Sequence, residues 1–165
     1  MEQKIIQKIQ RKTLRLITEC SCEECKSMCT KQVCLGTPQD ILKLIKAGYK
    51  DKLKPTLWMT AQFLGKLSTP VPMVQAIQDE NGCVFFKNGL CELHGKNMKP
   101  LEGRLAHHSI GPDSFFFDVS VSWNVAKEWL DISNLSVVLD VFAEMDIINE
   151  SLKDIYISSV KSVTD

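Results

Sequence analysis

The sequence predicts a mainly α-helical fold with a small β-hairpin, in which an irregular cysteine-rich region is flanked by helices. Three observations predict it. Apolar residues recur at helical spacing near both ends of the chain. The pair Asn88-Gly89 separates two short strand-forming runs. Six of the seven cysteines fall into two tight groups, Cys22, Cys25, Cys29 and Cys34 upstream and Cys83 and Cys91 downstream. At 165 residues, with 44% hydrophobic and 24% charged content, the chain reads as one globular domain spanning 1–165. It divides into an amphipathic segment at 1–19, a cysteine-cluster region at 20–108 and closing helices at 113–165.

In the first segment Ile5, Ile6, Ile9, Leu14 and Ile17 recur at roughly helical spacing, with Lys4, Lys8, Arg11, Lys12 and Arg15 on the remaining surface. The run CSCEECKSMC follows directly. Cysteines this dense pack poorly as regular structure, so a loop or short turns are expected there. Thr37 with Asp40 then resembles a capping box, Pro38 sits in a first helical turn, and Ile41, Leu44 and Ile45 form an apolar stripe that Gly48 should end.

Residues 53–80, punctuated by Pro55, Gly65, Pro70 and Pro72, are expected to be irregular and partly extended. CVFF and LCEL around Asn88-Gly89 form the predicted hairpin, which would bring Cys83 and Cys91 close. Beyond Pro112, Phe116, Val119, Trp123, Ala126 and Leu130 keep a helical spacing with Asp113 or Ser114 as cap; a strand through FFFDVSV competes with that helix. Helices over 135–148 and 152–160 should close the fold, the first presenting Val138, Val141, Phe142 and Met145.

Several function classes are disfavoured. No apolar run approaches the roughly 18 residues of a membrane-spanning helix, and the N-terminus lacks the uninterrupted apolar core of a secretory signal. The expectation is a cytoplasmic, reduced protein whose clustered thiols serve metal or redox chemistry rather than disulfides. Residues 1–112 carry 17 Lys and Arg against 10 Asp and Glu, and residues 113–165 carry 3 against 10. Complementary halves of one domain explain that split, so neither a nucleic-acid nor a membrane partner is expected.

Thiolates spaced this way suit a soft cation. Structural zinc takes four tetrahedral ligands, commonly as two pairs on tight turns; Cys22 with Cys25 makes one pair and Cys83 with Cys91 another. Cys29 and Cys34 add thiolates, and His107 and His108 add imidazoles. Ligands in excess of four point equally to a second ion or an iron-sulfur cluster. Cys20 is expected not to ligate, on the argument that neighbouring extended positions point apart, and His94 reads as an ordinary surface or core residue.

These residues resemble the YkgJ-type cysteine-cluster family, whose members are described as zinc- or iron-chelating. That pattern runs CxxCxxCC, a Thr-x-x-Asp-Ile helix start, C-x-F-L leading to another Cys, then a His or Tyr, a Pro and a Cys-Arg pair. Here the matching residues are Cys22, Cys25, Cys29, Thr37, Asp40, Ile41, Cys83, Phe85, Cys91, His94, Pro100 and Arg104, over about half the chain. Met28 and Gly103 stand where the pattern has cysteines; Cys34 is expected to compensate for the first and His107 or His108 for the second.

The resemblance implies a metal-binding protein in which zinc, iron or an iron-sulfur cluster plays a mainly structural role. Two alternatives stand beside it. Similarity of the group to flagellin lysine methylases admits a metal-dependent enzyme, methyltransferase-like or hydrolytic, although no Gly-rich nucleoside loop, GxSxG, HExxH or P-loop is present. The closely spaced thiols also admit a redox or metal sensor.

Overall fold

A computed structural model describes residues 2–105, 116–147 and 150–164. Its architecture is mainly α-helical with small antiparallel strand pairs, as the sequence predicts. The N-terminal half contains α1 (Glu2–Thr13), α2 (Glu23–Lys31), α3 (Pro38–Lys46), β1 (Leu53–Trp58) and α4 (Thr60–Phe63). Next come β2 (Val71–Ala76), β3 (Gln78–Asp79), β4 (Gly82–Cys83), β5 (Phe86–Lys87) and β6 (Leu90–Cys91). The chain closes with α5 (Leu101–Arg104), α6 (Val121–Ala126), α7 (Leu135–Glu144) and α8 (Glu150–Thr164).

Helix α1 buries Ile5, Ile6 and Ile9, but it stops at Thr13 instead of running through residue 19. Leu14 adopts a left-handed φ of 54°, and both Leu14 and Leu16 are exposed. Tertiary pairing overrides the helical period: Ile17 bridges to Leu105, and the Thr18 amide donates to the Arg104 carbonyl at 2.7 Å. The cysteine run departs from expectation in the opposite direction, because it forms α2 rather than a loop. Glu23 and Glu24 in its first turn and Lys31 in its last complement the helix dipole. Cys25 and Cys29, four residues apart, therefore share one helix face.

Local signals are obeyed at α3. Thr37 Oγ1 accepts from the Asp40 amide while the Asp40 carboxylate accepts from the Thr37 amide, and Pro38 opens the helix. Gly48 at φ 88° lets the Tyr49 amide bond back to the Leu44 carbonyl, which closes the helix end. Asp40 is buried and also accepts from the Leu101 amide and from Arg104 Nη2 at 2.7 Å, so the cap of α3 is tied to α5.

Residues 53–76 hold more order than expected, since β1 and β2 form a six-residue antiparallel ribbon. Pro55 lies opposite Val74 and Pro72 opposite Leu57, two positions of the same ladder parity. At that parity a proline nitrogen faces the free edge of a two-stranded ribbon, so the prolines cost no ladder bond. The predicted hairpin forms at Asn88-Gly89, both with positive φ, but pairs only Phe86 with Cys91 and Lys87 with Leu90. Cys83 belongs to the preceding hairpin, opposite Gln78.

Helix α6 begins at Val121, later than expected, because Ser120 is its cap: Ser120 Oγ accepts from the Trp123 amide at 3.1 Å. Phe116 is consequently exposed, whereas Trp123, Ala126 and Leu130 are buried as their spacing requires. The proposed caps Asp113 and Ser114 lie outside the described residues. One hydrophobic cluster runs from Ile5 through Leu44, Val74 and Trp129 to Tyr156. Trp129 is fully buried and donates Nε1–H to the Gly36 carbonyl at 2.9 Å, so its indole is satisfied. Among the described residues no helix is long and apolar enough to cross a membrane.

Candidate metal centre

The sulfurs of Cys20, Cys22 and Cys25 lie within 4.8 Å of one another. Cys22, itself extended, is the cap residue of α2 and Cys25 sits in its first turn, while Cys20 stands two residues before Cys22. Cys20 thus joins the group from which the sequence reading excluded it; two-residue spacing permits this, since positions i and i+2 of an extended segment share a side. A zinc-sulfur bond of about 2.3 Å gives a tetrahedral edge of about 3.8 Å. The triad therefore closes on an ion with shifts of about 1 Å or less.

Electrostatics distinguish its members. The Cys25 amide, followed by the Cys20 and Cys25 thiols, favours the Cys22 thiolate and lowers its pKa. Burial pushes the Cys25 thiol up to about 12, with Cys22 and Cys20 adding to the effect. Such a thiol is freed of its proton only when a cation takes the proton's place.

One turn along α2, Cys29 faces a second group formed by Cys34, Cys83 and Cys91. Six cysteines, Cys20, Cys25, Cys29, Cys34, Cys83 and Cys91, line one cavity of about 40 Å³, which accommodates an ion or one to two waters. Phe85, Leu93 and Leu105 form part of its apolar wall. The Cys34 thiol donates to the Cys29 sulfur, burial opposes ionisation, and the Lys99 ammonium favours it; the Cys29 pKa falls to about 7. Cys34 moves the other way, well above the usual thiol range, because it keeps the shared proton and is buried. Burial raises Cys83 to about 11, and it raises Cys91 too.

Backbone amides mark where negative sulfur is accommodated. Phe85 donates to Cys83, and Leu93 and His94 donate to Cys91. The same two-residue offset, Cys83 to Phe85 and Cys91 to Leu93, thus occurs at both downstream sulfurs. Hydrogen bonds to ligating sulfur are a recognised means of tuning thiolate-bound metal.

Gly82 sets the meeting of the two groups. A Cβ there would stand 2.3 Å from the Cys29 carbonyl oxygen and 2.6 Å from the Thr30 Cα, so only glycine permits β4 to lie against α2. Sequence reading missed Gly82, Cys20 and Lys99. Only Cys20 had a signal, its two-residue spacing from Cys22.

Of the other residues singled out, His107 and His108 lie outside the described residues. His94 Nδ1 is buried and has no hydrogen-bond partner among the described residues. Met28 lines the thiol cavity, and the Cys34 sulfur lies 3.1 Å from where a Cβ on Gly103 would be. Cys34, expected to compensate for Met28, thus fills the space beside Gly103. No family model, curated protein or solved structure matches the chain.

Proposed function

We propose that this chain binds a soft transition-metal ion, zinc or iron, through its clustered thiolates, and that the ion's role is mainly structural. The observation that carries the reading is the Cys20, Cys22 and Cys25 triad, with sulfurs within 4.8 Å of one another at the mouth of a cavity lined by further thiols. Cys22, Cys25, Cys29, Cys34, Cys83, Cys91, His107 and His108 are the ligand set the sequence reading implies; the two histidines lie outside the described residues, and Cys20 joins the cysteines. The resemblance to YkgJ-type cysteine-cluster proteins supports the same reading. None of the seven cysteines is in a disulfide, which suits a reducing compartment such as the cytoplasm.

An ion held in the cavity by Cys29 together with Cys83 or Cys91 would join α2 to the β4–β6 hairpins. Structural zinc supplies roughly 10 to 16 kcal/mol in small peptides, comparable to the stability of a whole domain. The test is elemental analysis and an absorption spectrum of protein purified without added metal, followed by chelation. Zinc in a colourless sample or iron with charge-transfer bands, and a lower melting temperature after chelation, is the expected result. Metal-free protein, or chelation that leaves the melting temperature unchanged, overturns the proposal.

The hydrogen-bonded pair Cys29 and Cys34 favours a second reading, a thiol sensor. Exchange with a small disulfide would join the two sulfurs, release two thiols and withdraw both from the metal. Thiol counting with and without oxidised glutathione separates the readings.

A further inference from the structure

An open groove of about 460 Å³, lined by Glu102, lies between the β1–β2 ribbon and the turn before α6. Among the described residues three carboxylates are buried: Asp40, Glu102 and Glu128. Asp40 is paired with Arg104 and Glu128 with Lys8. Among the described residues Glu102 has no basic partner. Its Oε2 accepts from the Leu35 amide at 2.6 Å and its Oε1 from Ser122 Oγ at 2.5 Å, both neutral donors. A buried charge without a counter-charge is among the costliest arrangements in a fold.

The surroundings indicate what kind of counter-charge fits. Trp58 and Phe117 line the groove with near-parallel rings, 16° apart in orientation and 6.4 Å between centroids. Gln32, Gln75 and Ser120 supply neutral polar atoms, and among the described residues no lysine or arginine contributes to the lining. Aromatic faces attract cations and also shed water from apolar substituents. A bare metal ion would gain little from such walls, whereas an alkylammonium gains from both the rings and the carboxylate.

We infer that this groove binds an organic ammonium group, with Glu102 as its counter-charge and Trp58 and Phe117 as its aromatic walls. The groove and the thiol cavity are lined by different residues. Glu102 has a structural task as well, since it satisfies the buried Leu35 amide. Glu102→Gln retains an oxygen for that amide and removes only the charge, so the two tasks are separable.

The experiment is titration of the full chain with choline chloride and, in parallel, with its uncharged isostere 3,3-dimethylbutan-1-ol, followed by calorimetry and tryptophan fluorescence at constant ionic strength. Choline is expected to bind saturably and at least tenfold more tightly than the isostere. Glu102→Gln should weaken choline at least tenfold with an unchanged melting temperature. Trp58→Leu, which leaves Glu102 and its two donors in place, should weaken it too and serves if the first variant does not fold. Equal binding of the two probes, no saturable choline binding at millimolar concentration, or undiminished binding by a folded variant overturns the inference.

Discussion

A Cβ on Gly82 would stand 2.3 Å from the carbonyl oxygen of Cys29, closer than packed atoms approach, so the backbone of β4 lies directly on the backbone of α2. Cys83 follows Gly82, and this contact carries its sulfur into the cavity that Cys29 lines. Because Gly82 also has a φ of 103°, alanine there meets both strain and collision. Gly82→Ala should cost about 2 to 4 kcal/mol in urea unfolding and lower the bound metal per chain. Gly48→Ala is the control: its φ is 88°, but nothing lies within 4 Å, so about 1 kcal/mol is expected with metal content unchanged.

The triad makes a sharper demand on single side chains. Cys22 is exposed, so Cys22→Ser should leave the fold intact while weakening metal binding at least tenfold in competition with a chromophoric chelator. Cys20→Ser should do the same. If Cys20→Ser retains wild-type affinity, its proximity to Cys22 and Cys25 is packing and the ligands lie deeper in the cavity.

Thiol reactivity provides an independent check on the inner group. In reduced, metal-free protein the Cys29 thiolate is held by the Cys34 donor, against burial and with help from Lys99, at a pKa of about 7. Alkylation of Cys29 by iodoacetamide should rise with pH and reach half its maximum near pH 7. Cys83, at about 11, and Cys25, at about 12, should stay largely unmodified there. Cys34→Ala removes the donor, so the Cys29 midpoint should move upward; peptide mapping by mass spectrometry reads each site.

What was legible in the sequence was local. The Thr37 and Asp40 capping box, the Gly48 stop and the Asn88-Gly89 turn each depend on residues within a few positions, and each forms as its residues require. Features set by distant partners were hidden. Ile17 leaves its helical stripe to pair with Leu105, and the β1–β2 ribbon tolerates Pro55 and Pro72 only because of a register that no short window reveals. Within the site, composition disguised α2: the acidic start and basic end that make it a helix were outweighed by its cysteines. Cys20 was misjudged through chain parity, and Gly82 was invisible because its importance lies wholly in the backbone it touches.

The buried Asp40 joins the Thr37 amide and hydroxyl, the Leu101 amide and Arg104, so one carboxylate fixes α3 against α5. Asp40→Ala leaves Arg104 buried with Glu2 as its one acidic partner among the described residues. Loss of one member of a buried pair costs about 3 to 5 kcal/mol, which should appear in the urea midpoint. Asp40→Asn retains acceptor capacity for the amides and should cost less.

Acid stability should report the contact between α1 and the segment before α7. Lys8 Nζ lies 2.7 Å from Glu128 Oε1 and 2.9 Å from Asp131 Oδ2. Burial works against ionisation of Asp131, but hydrogen bonds from Lys8 and Ser133 outweigh it and bring the pKa to about 2. Burial likewise opposes the Lys8 charge, and the two carboxylates overcome it, so the Lys8 pKa is raised. The folded state thus favours the charged form of both. For Asp131 the contribution is present above the ordinary carboxylate value of 3.8 and is lost as pH falls through about 2. The full shift would correspond to about 2 kcal/mol; with the Asp131 side chain 32% exposed, screening reduces this to about 1 kcal/mol. Buried Asp40 and Glu102 have raised pKa values, so their protonation on acidification works in the opposite direction and blurs the wild-type profile. The difference between wild type and Asp131→Asn isolates the contact: urea midpoints should differ by a constant amount from pH 5 to 7 and converge between pH 4 and 2. A difference that stays constant down to pH 2 would show that Lys8 gains nothing from the Asp131 charge.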